Sequence, residues 1–226
     1  METMIKSKTR GILVVISGPS GAGKGTVINN LLKNHPHYWL SVSTTSRPIR
    51  SNDIPGVTYN FVSKDEFEEK IKENYFLEYN NYVGNYYGTP KEFIQKKLDS
   101  GVDVILEIEI NGASNVKRLI PEALLIFIMP PSLKELKNRL VNRGTDSKDK
   151  IINRFKEAYN EINEVTKYNY VVVNDNIEDA VNKVESIVSA EKLRVDRIEE
   201  IYMNSLEEEI HEFLIDKNFN NDNTNI

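Results

Sequence analysis

This 226-residue sequence predicts an α/β fold, a three-layer sandwich around a central parallel sheet, and three observations carry the prediction. Short apolar runs recur at 11–17 (GILVVIS), 102–110 (VDVILEIEI), 124–129 (LLIFIM) and 170–174 (YVVVN). They are rich in Val and Ile and apolar on both faces, as strands covered by helices on both sides must be. Helical stretches separate them, and the first run leads directly into a glycine-rich loop that opens the first of those helices.

In chain order, residues 1–10 carry Lys6, Lys8 and Arg10 against Glu2, lack the apolar stretch of a signal peptide, and read as a flexible terminus. Helices are expected at 24–34, 90–99, 112–119, 132–142 and 147–165, with start signals at Pro90 and Ser132. Between 40 and 90 the texture changes to short aromatic segments (YNFV, NYFLEYN, YVGNYYG) broken by Gly and Asn. That pattern suits a small antiparallel subdomain, about 43–89, inserted into the core. The strand expected at 102–110 contains Glu107 and Glu109, two residues apart. In a strand both would face the same way, and unpaired burial would cost several kcal/mol, so something must meet them. A last charged helix is expected from about 177 past 200, residues 206–226 form a polar C-terminal tail, and its asparagine-rich end, KNFNNDNTNI at 217–226, should be disordered.

Lys and Arg number 29 against 34 Asp and Glu, a net charge of -5. That balance argues against a general nucleic-acid or membrane-surface binder. No apolar run approaches the roughly 20 residues needed to span a bilayer. The absence of cysteine excludes disulfides and thiolate metal sites and favours a cytoplasmic setting, with an organelle left open. His35, His37 and His211 do not form a metal set. Monomer and homodimer both remain open.

The chemistry-bearing signal is Ser17, Gly18, Pro19, Ser20, Gly21, Ala22, Gly23, Lys24, Gly25 and Thr26. A strand, a glycine loop, a lysine and a helix in that order make a Walker A cradle, in which backbone N–H groups and the helix N-terminus hold phosphate. One departure stands out: Gly25 separates Lys24 from Thr26, displacing the hydroxyl that usually follows the lysine. Arg47 and Arg50 lie close enough to grip one phosphate with their forks. Arg139 and Arg143, four apart, share a helix face, and Arg154 follows on the next helix.

The segments SGPSGAGKGT, SVSTTSRPIR, NYYGTP, ILEIEING, PPSLKELKNRLVNRGT and YVVVND, in this order, resemble the guanylate kinases of the bacterial type, from about 11 to 195. The resemblance implies a domain over 11–205, with core 11–42 and 90–200, the insertion binding GMP, and a lid over about 138–155. It implies that Arg47, Arg50, Tyr59 and Tyr87 grip the monophosphate, while Ser43, Glu78, Thr89 and Glu109 read guanine. The lid arginines Arg139, Arg143 and Arg154 would join Lys24 on the ATP phosphates, and Asn174 would border adenine. Mg2+ would accompany ATP, with Glu107 or Glu109 meeting it through water. Physical chemistry agrees on one point: guanine offers N1–H and its amine as adjacent donors, which one carboxylate can accept. Two other readings share these motifs: a small kinase for another acceptor, and a non-catalytic guanylate-kinase-like module that binds phosphopeptides.

Overall fold

The computed structural model describes residues 5–7, 10–82, 84–142 and 148–201. In chain order its elements are β1 (Ile5–Ser7), β2 (Leu13–Ser17), α1 (Lys24–Asn34), β3 (Tyr38–Leu40), β4 (Thr44–Thr45), β5 (Asn60–Phe61), α2 (Lys64–Lys72), β6 (Phe76–Tyr82) and β7 (Asn85–Pro90). There follow α3 (Lys91–Asp99), β8 (Asp103–Glu107), α4 (Ile110–Leu119), β9 (Leu124–Met129), α5 (Leu133–Val141), α6 (Lys148–Ile162), β10 (Tyr170–Val173), α7 (Ile177–Glu191) and β11 (Ile198–Ile201). The chain divides into a main unit, Thr9–Val188, and a small unit made from the two ends.

The main unit is built on a five-stranded sheet in the order β10-β9-β2-β8-β3, parallel throughout. Alternate residues explain why its strands are apolar on both faces. Val14, Ile16, Ile105, Ile126 and Val172 pack with Val27, Ile28 and Leu31 of α1 and Val181 and Val184 of α7. Leu13, Val15, Val104, Leu106 and Leu125 pack on the other side with Ile94 and Leu98 of α3 and Ala113 and Val116 of α4. Register sets Ile16 beside Glu107 and Ser17 beside Phe127, so the strand ends, and the loops that leave them, collect along one edge. In open parallel sheets ligands bind along that edge.

The strand carrying the paired glutamates is shorter than expected. It stops at Glu107, and α4 begins at Ile110 with Glu109 as its N-cap residue in extended conformation. Ile110, Ala113 and Val116 recur at helical spacing and are all buried, so the helix claims residues whose apolar run suits a strand equally well. Strand β3 at the sheet edge and helix α2 were not anticipated at all.

The insertion carries a four-stranded sheet, β5-β4-β7-β6, antiparallel except for the β4–β5 pair. Helix α2 begins with a reciprocal cap: Glu66 N–H donates to Ser63 Oγ at 3.2 Å, and Ser63 N–H donates to Glu66 Oε2 at 2.7 Å. Its one fully buried apolar residue, Phe67, is stacked against Phe76 at 4.3 Å and Tyr86 at 5.1 Å, fastening the helix to the sheet.

In the small unit Ile5–Ser7 pairs antiparallel with Ile198–Ile201, where a free terminus was expected. Helix α7 ends at Glu191 instead of passing 200. Arg194 and Arg197 both donate to the Glu191 carboxylate, at 3.4 and 3.3 Å, and Arg194 forks onto Asp196, which favours a turn over further helix. The expected tail, 206–226, lies outside the described residues.

Candidate functional site

The cradle occupies the gap between β2 and α1. Gly23, the N-cap of α1, has φ 88°, and a Cβ there would stand 2.5 Å from Asn174 Nδ2, so only glycine fits. No side chain caps α1 and no acidic residue sits in its first turn, which leaves its N-terminal field available to an anion.

The loop is braced from behind. Asn174 Nδ2 donates to Ala22 O at 2.8 Å, and Arg139 Nη1 donates to the same carbonyl at 3.3 Å. Arg139 also donates to Asn174 O at 3.0 Å and to Glu135 Oε1 at 2.9 Å. Ser17 Oγ donates to Ile108 O at 2.6 Å, tying the loop's start to the turn after β8. Lys24 Nζ reaches back over the loop, donating to Gly18 O at 2.6 Å and Pro19 O at 3.3 Å. Thr26 lies exposed in the first turn of α1.

Helix α6 meets the loop at Ser20 through two opposite charges. Arg154 Nη2 donates to Ser20 Oγ at 2.7 Å, while Ser20 N–H donates to Glu161 Oε2 at 3.2 Å. A carboxylate thus sits on a loop amide of the kind that receives phosphate oxygens in such cradles.

In front of the cradle opens a crevice of about 510 Å³. At its cradle end stand Gly18, Ser20, Lys24 and Arg154, with Glu107, Glu109, Glu157 and Glu161 along the floor and side. At its far end stand Ser43, Arg50, Tyr59, Glu78 and Tyr87. Thr89 is fully buried behind that end and donates to Glu78 Oε1 at 2.6 Å. Arg47 does not line the crevice. It forks onto Asp53, at 2.9 and 3.1 Å, donates to Pro48 O at 2.7 Å, and lies 5.4 Å from the Tyr59 ring. Asp53 also accepts from Arg50 N–H at 2.7 Å, so one carboxylate organises the loop that holds both arginines.

The electrostatics follow from this crowding. Burial pushes the Glu78 carboxyl above its usual range, the Thr89 hydrogen bond opposes the shift, and the Glu109 charge adds to it. Glu107 and Glu109 are not buried as a strand would bury them but stand exposed on the crevice, and desolvation by its crowded walls still raises Glu107, against the pull of Lys24. Glu109 is raised by the same desolvation and by the charges of Glu161 and Glu157, with Lys24 opposing. Glu161 is raised by burial despite its bond from Ser20 and the nearby Lys24. Asp53 moves the other way, because Arg47 and the Arg50 amide stabilise its ionised form.

Of the residues expected at the site, Arg143 lies outside the described residues. Sequence reasoning missed Asp53, Glu157, Glu161 and Ser41, whose buried hydroxyl beside the crevice has no hydrogen-bond partner among the described residues. The i, i+3, i+7 spacing of Arg154, Glu157 and Glu161 was a usable signal, since it puts all three on one helix face.

Residues 10–191 match the sequence profile of the family described as Guanylate kinase. The chain belongs to the guanylate kinase family. The guanylate kinase of Clostridium tetani is 57% identical over 207 residues, 92% of this chain and 99% of that protein. That of Oceanobacillus iheyensis is 49% identical over 205 residues, 91% of this chain and 98% of that protein. Among solved structures, the guanylate kinase of Anaplasma phagocytophilum superposes with a TM-score of 0.74 at 31% identity, covering 89% of this chain and 95% of that one. The guanylate kinase match spans the cradle, the insertion and helix α6, which meets the loop at Ser20. No helix among the described residues is long and apolar enough to cross a membrane.

Proposed function

We propose that the chain transfers the γ-phosphoryl group of ATP to GMP, giving ADP and GDP. The observation that carries this reading is the single crevice joining a phosphate cradle to the buried Glu78–Thr89 pair. Thr89 occupies one oxygen of the carboxylate and leaves the other to accept from guanine N1–H and the amine, donors that adenine does not present in that pattern. Ser43 and Glu109 flank the base. Arg50 and the hydroxyls of Tyr59 and Tyr87 hold the monophosphate, and Arg47 joins them when its fork is shared with Asp53. dGMP should also serve, since none of these contacts needs a 2′-hydroxyl.

ATP takes the cradle, its β- and γ-phosphates drawing Lys24 off the Gly18 and Pro19 carbonyls and Arg154 off Ser20. A GMP phosphate oxygen attacks the γ-phosphorus while the bond to the β–γ bridging oxygen breaks, and ADP leaves with that electron pair. Catalysis here is positioning and charge neutralisation, by Lys24 and Arg154 with Arg139 and Arg143 of the lid. Closure of the lid excludes water and so limits ATP hydrolysis.

Among the described residues no group of three or more His, Cys, Asp or Glu is arranged to hold a metal directly. The donors beside the loop are nonetheless hard oxygens: Glu107 comes within 3.8 Å of the point where a Gly25 Cβ would lie, one residue from Thr26. That set suits Mg2+ held through its water shell by Glu107 or Glu109. Bound there with ATP, magnesium would supply charge neutralisation to the phosphates. The setting that goes with this reading is the cytoplasm, with an organelle left open.

Coupled measurement of ADP release with GMP, dGMP, AMP, UMP and TMP tests the proposal. GMP should exceed AMP and UMP in kcat/KM by about 100-fold or more, because a buried carboxylate facing the wrong base edge is left unpaired. Equal turnover of GMP and AMP would refute the assignment of the acceptor.

A further inference from the structure

Helix α4 has a glycine in its first turn, where glycine is among the poorest helix formers. Its backbone does not demand one, since Gly112 is absent from the glycines with positive φ. The reason is space. A Cβ at Gly112 would stand 2.9 Å from Glu78 Oε2 and 3.3 Å from Glu78 Cδ, with Ile108 Cδ1 next at 3.4 Å. One oxygen of the Glu78 carboxylate therefore points into the space that a side chain at 112 would take, while its other oxygen accepts from Thr89 at 2.6 Å. Glu78 is only 8% exposed and Thr89 not at all, so the carboxylate is held between a hydroxyl on β7 and a helix surface that has no side chain.

We infer that Gly112 is a specificity-determining position that acts through Glu78, its missing side chain fixing where the base-reading carboxylate stands. The inference rests on the reading of Glu78 as the group that faces guanine. An Ala at 112 meets only the far end of a flexible side chain and Ile108, so the fold absorbs it by swinging Glu78 away. The backbone itself gains a better helix former. Stability and base recognition should therefore move in opposite directions, which separates this role from a merely structural one.

The experiment compares wild type, Gly112→Ala, Glu78→Ala and the double variant in thermal unfolding and in steady-state kinetics with GMP and AMP. Gly112→Ala should leave Tm unchanged or raised, raise KM for GMP about tenfold, keep KM for ATP within about twofold, and narrow the preference for GMP over AMP. In the Glu78→Ala background the same substitution should have no further effect on GMP, because its only route is gone. An unchanged GMP preference in Gly112→Ala would overturn the inference. So would an equal loss with and without Glu78, or a lower Tm with matching losses for ATP and GMP. If wild type itself fails to prefer GMP, the assignment of Glu78 falls first, and the two failures are told apart in the same assay.

Discussion

Lys24 is held ready by two carbonyls of its own loop, Gly18 O and Pro19 O, contacts that a phosphate can replace oxygen for oxygen. Removing it deletes a point charge whose main work is on the ATP phosphates, with only a Coulombic pull on Glu107 and Glu109 toward the acceptor. Lys24→Ala should thus lower kcat by about 10²- to 10³-fold while the GMP dissociation constant, measured by calorimetry, hardly moves. Loss of GMP affinity at constant kcat would contradict this placement. Glu78→Gln keeps the volume and the Thr89 contact, since a Gln oxygen still accepts, but sets an NH2 toward guanine N1–H. It should raise KM for GMP by about 10- to 100-fold and narrow the GMP-to-AMP preference; an equal loss of affinity for both monophosphates would count against base reading. Residues of this kind were legible in sequence because type and spacing carry the chemistry, as in GPSGAGKGT. The fork of Arg47 on Asp53 was not, because nothing in the order Arg47, Pro48, Ile49, Arg50 indicates that the chain folds back to bring Asp53 against both arginines.

Elements were legible where periodicity was unambiguous and illegible where two periods fit the same letters. β2 and β9 are continuous apolar runs too short for helices. After Glu107, Ile108 and Ile110 continue a strand-like alternation, and only the burial of Ala113 and Val116 decides for helix, a tertiary fact. Helix α2 escaped notice because Phe67 is its only fully buried apolar residue, its faces otherwise being charged. That dependence on one ring makes a test at this scale. Phe67→Ala should cost about 3–5 kcal/mol, the usual range for an aromatic truncated in a packed core. The loss falls between Phe76 and Tyr86, within the insertion, so KM for GMP should rise much more than KM for ATP. Urea unfolding and the two KM values check this; a stable variant with unchanged GMP affinity would mean that α2 does not hold the acceptor side in place.

At the scale of the whole molecule, the same edge of the sheet gathers more negative charge than a phosphate site would choose. Glu107 and Glu109 come from the end of β8 and the start of α4, Glu157 and Glu161 from α6, and all four line one crevice with Lys24 and Arg154. Neither element announces this alone, since α6 reads as an ordinary helix of mixed charge until it lies against the cradle. The consequence is a dependence of stability on pH. Burial raises the carboxyls of Glu78 and Glu161 in the folded chain, and crowding by the crevice walls raises those of Glu107 and Glu109 even though both are exposed, so the folded state binds protons that the unfolded state has already released. Their contribution to stability is therefore complete below the ordinary glutamate range near pH ~4.3 and is lost as pH rises through the raised values. Glu161→Gln removes one such charge while its side-chain oxygen can still accept from Ser20 N–H. The variant should unfold at a higher Tm than wild type at pH 7.5, and the difference should shrink steadily as the pH is lowered toward 5. A difference that stays constant over that range, or a variant less stable at neutral pH, would show that the Glu161 charge is compensated in the folded protein and that Lys24 and the Ser20 amide outweigh burial.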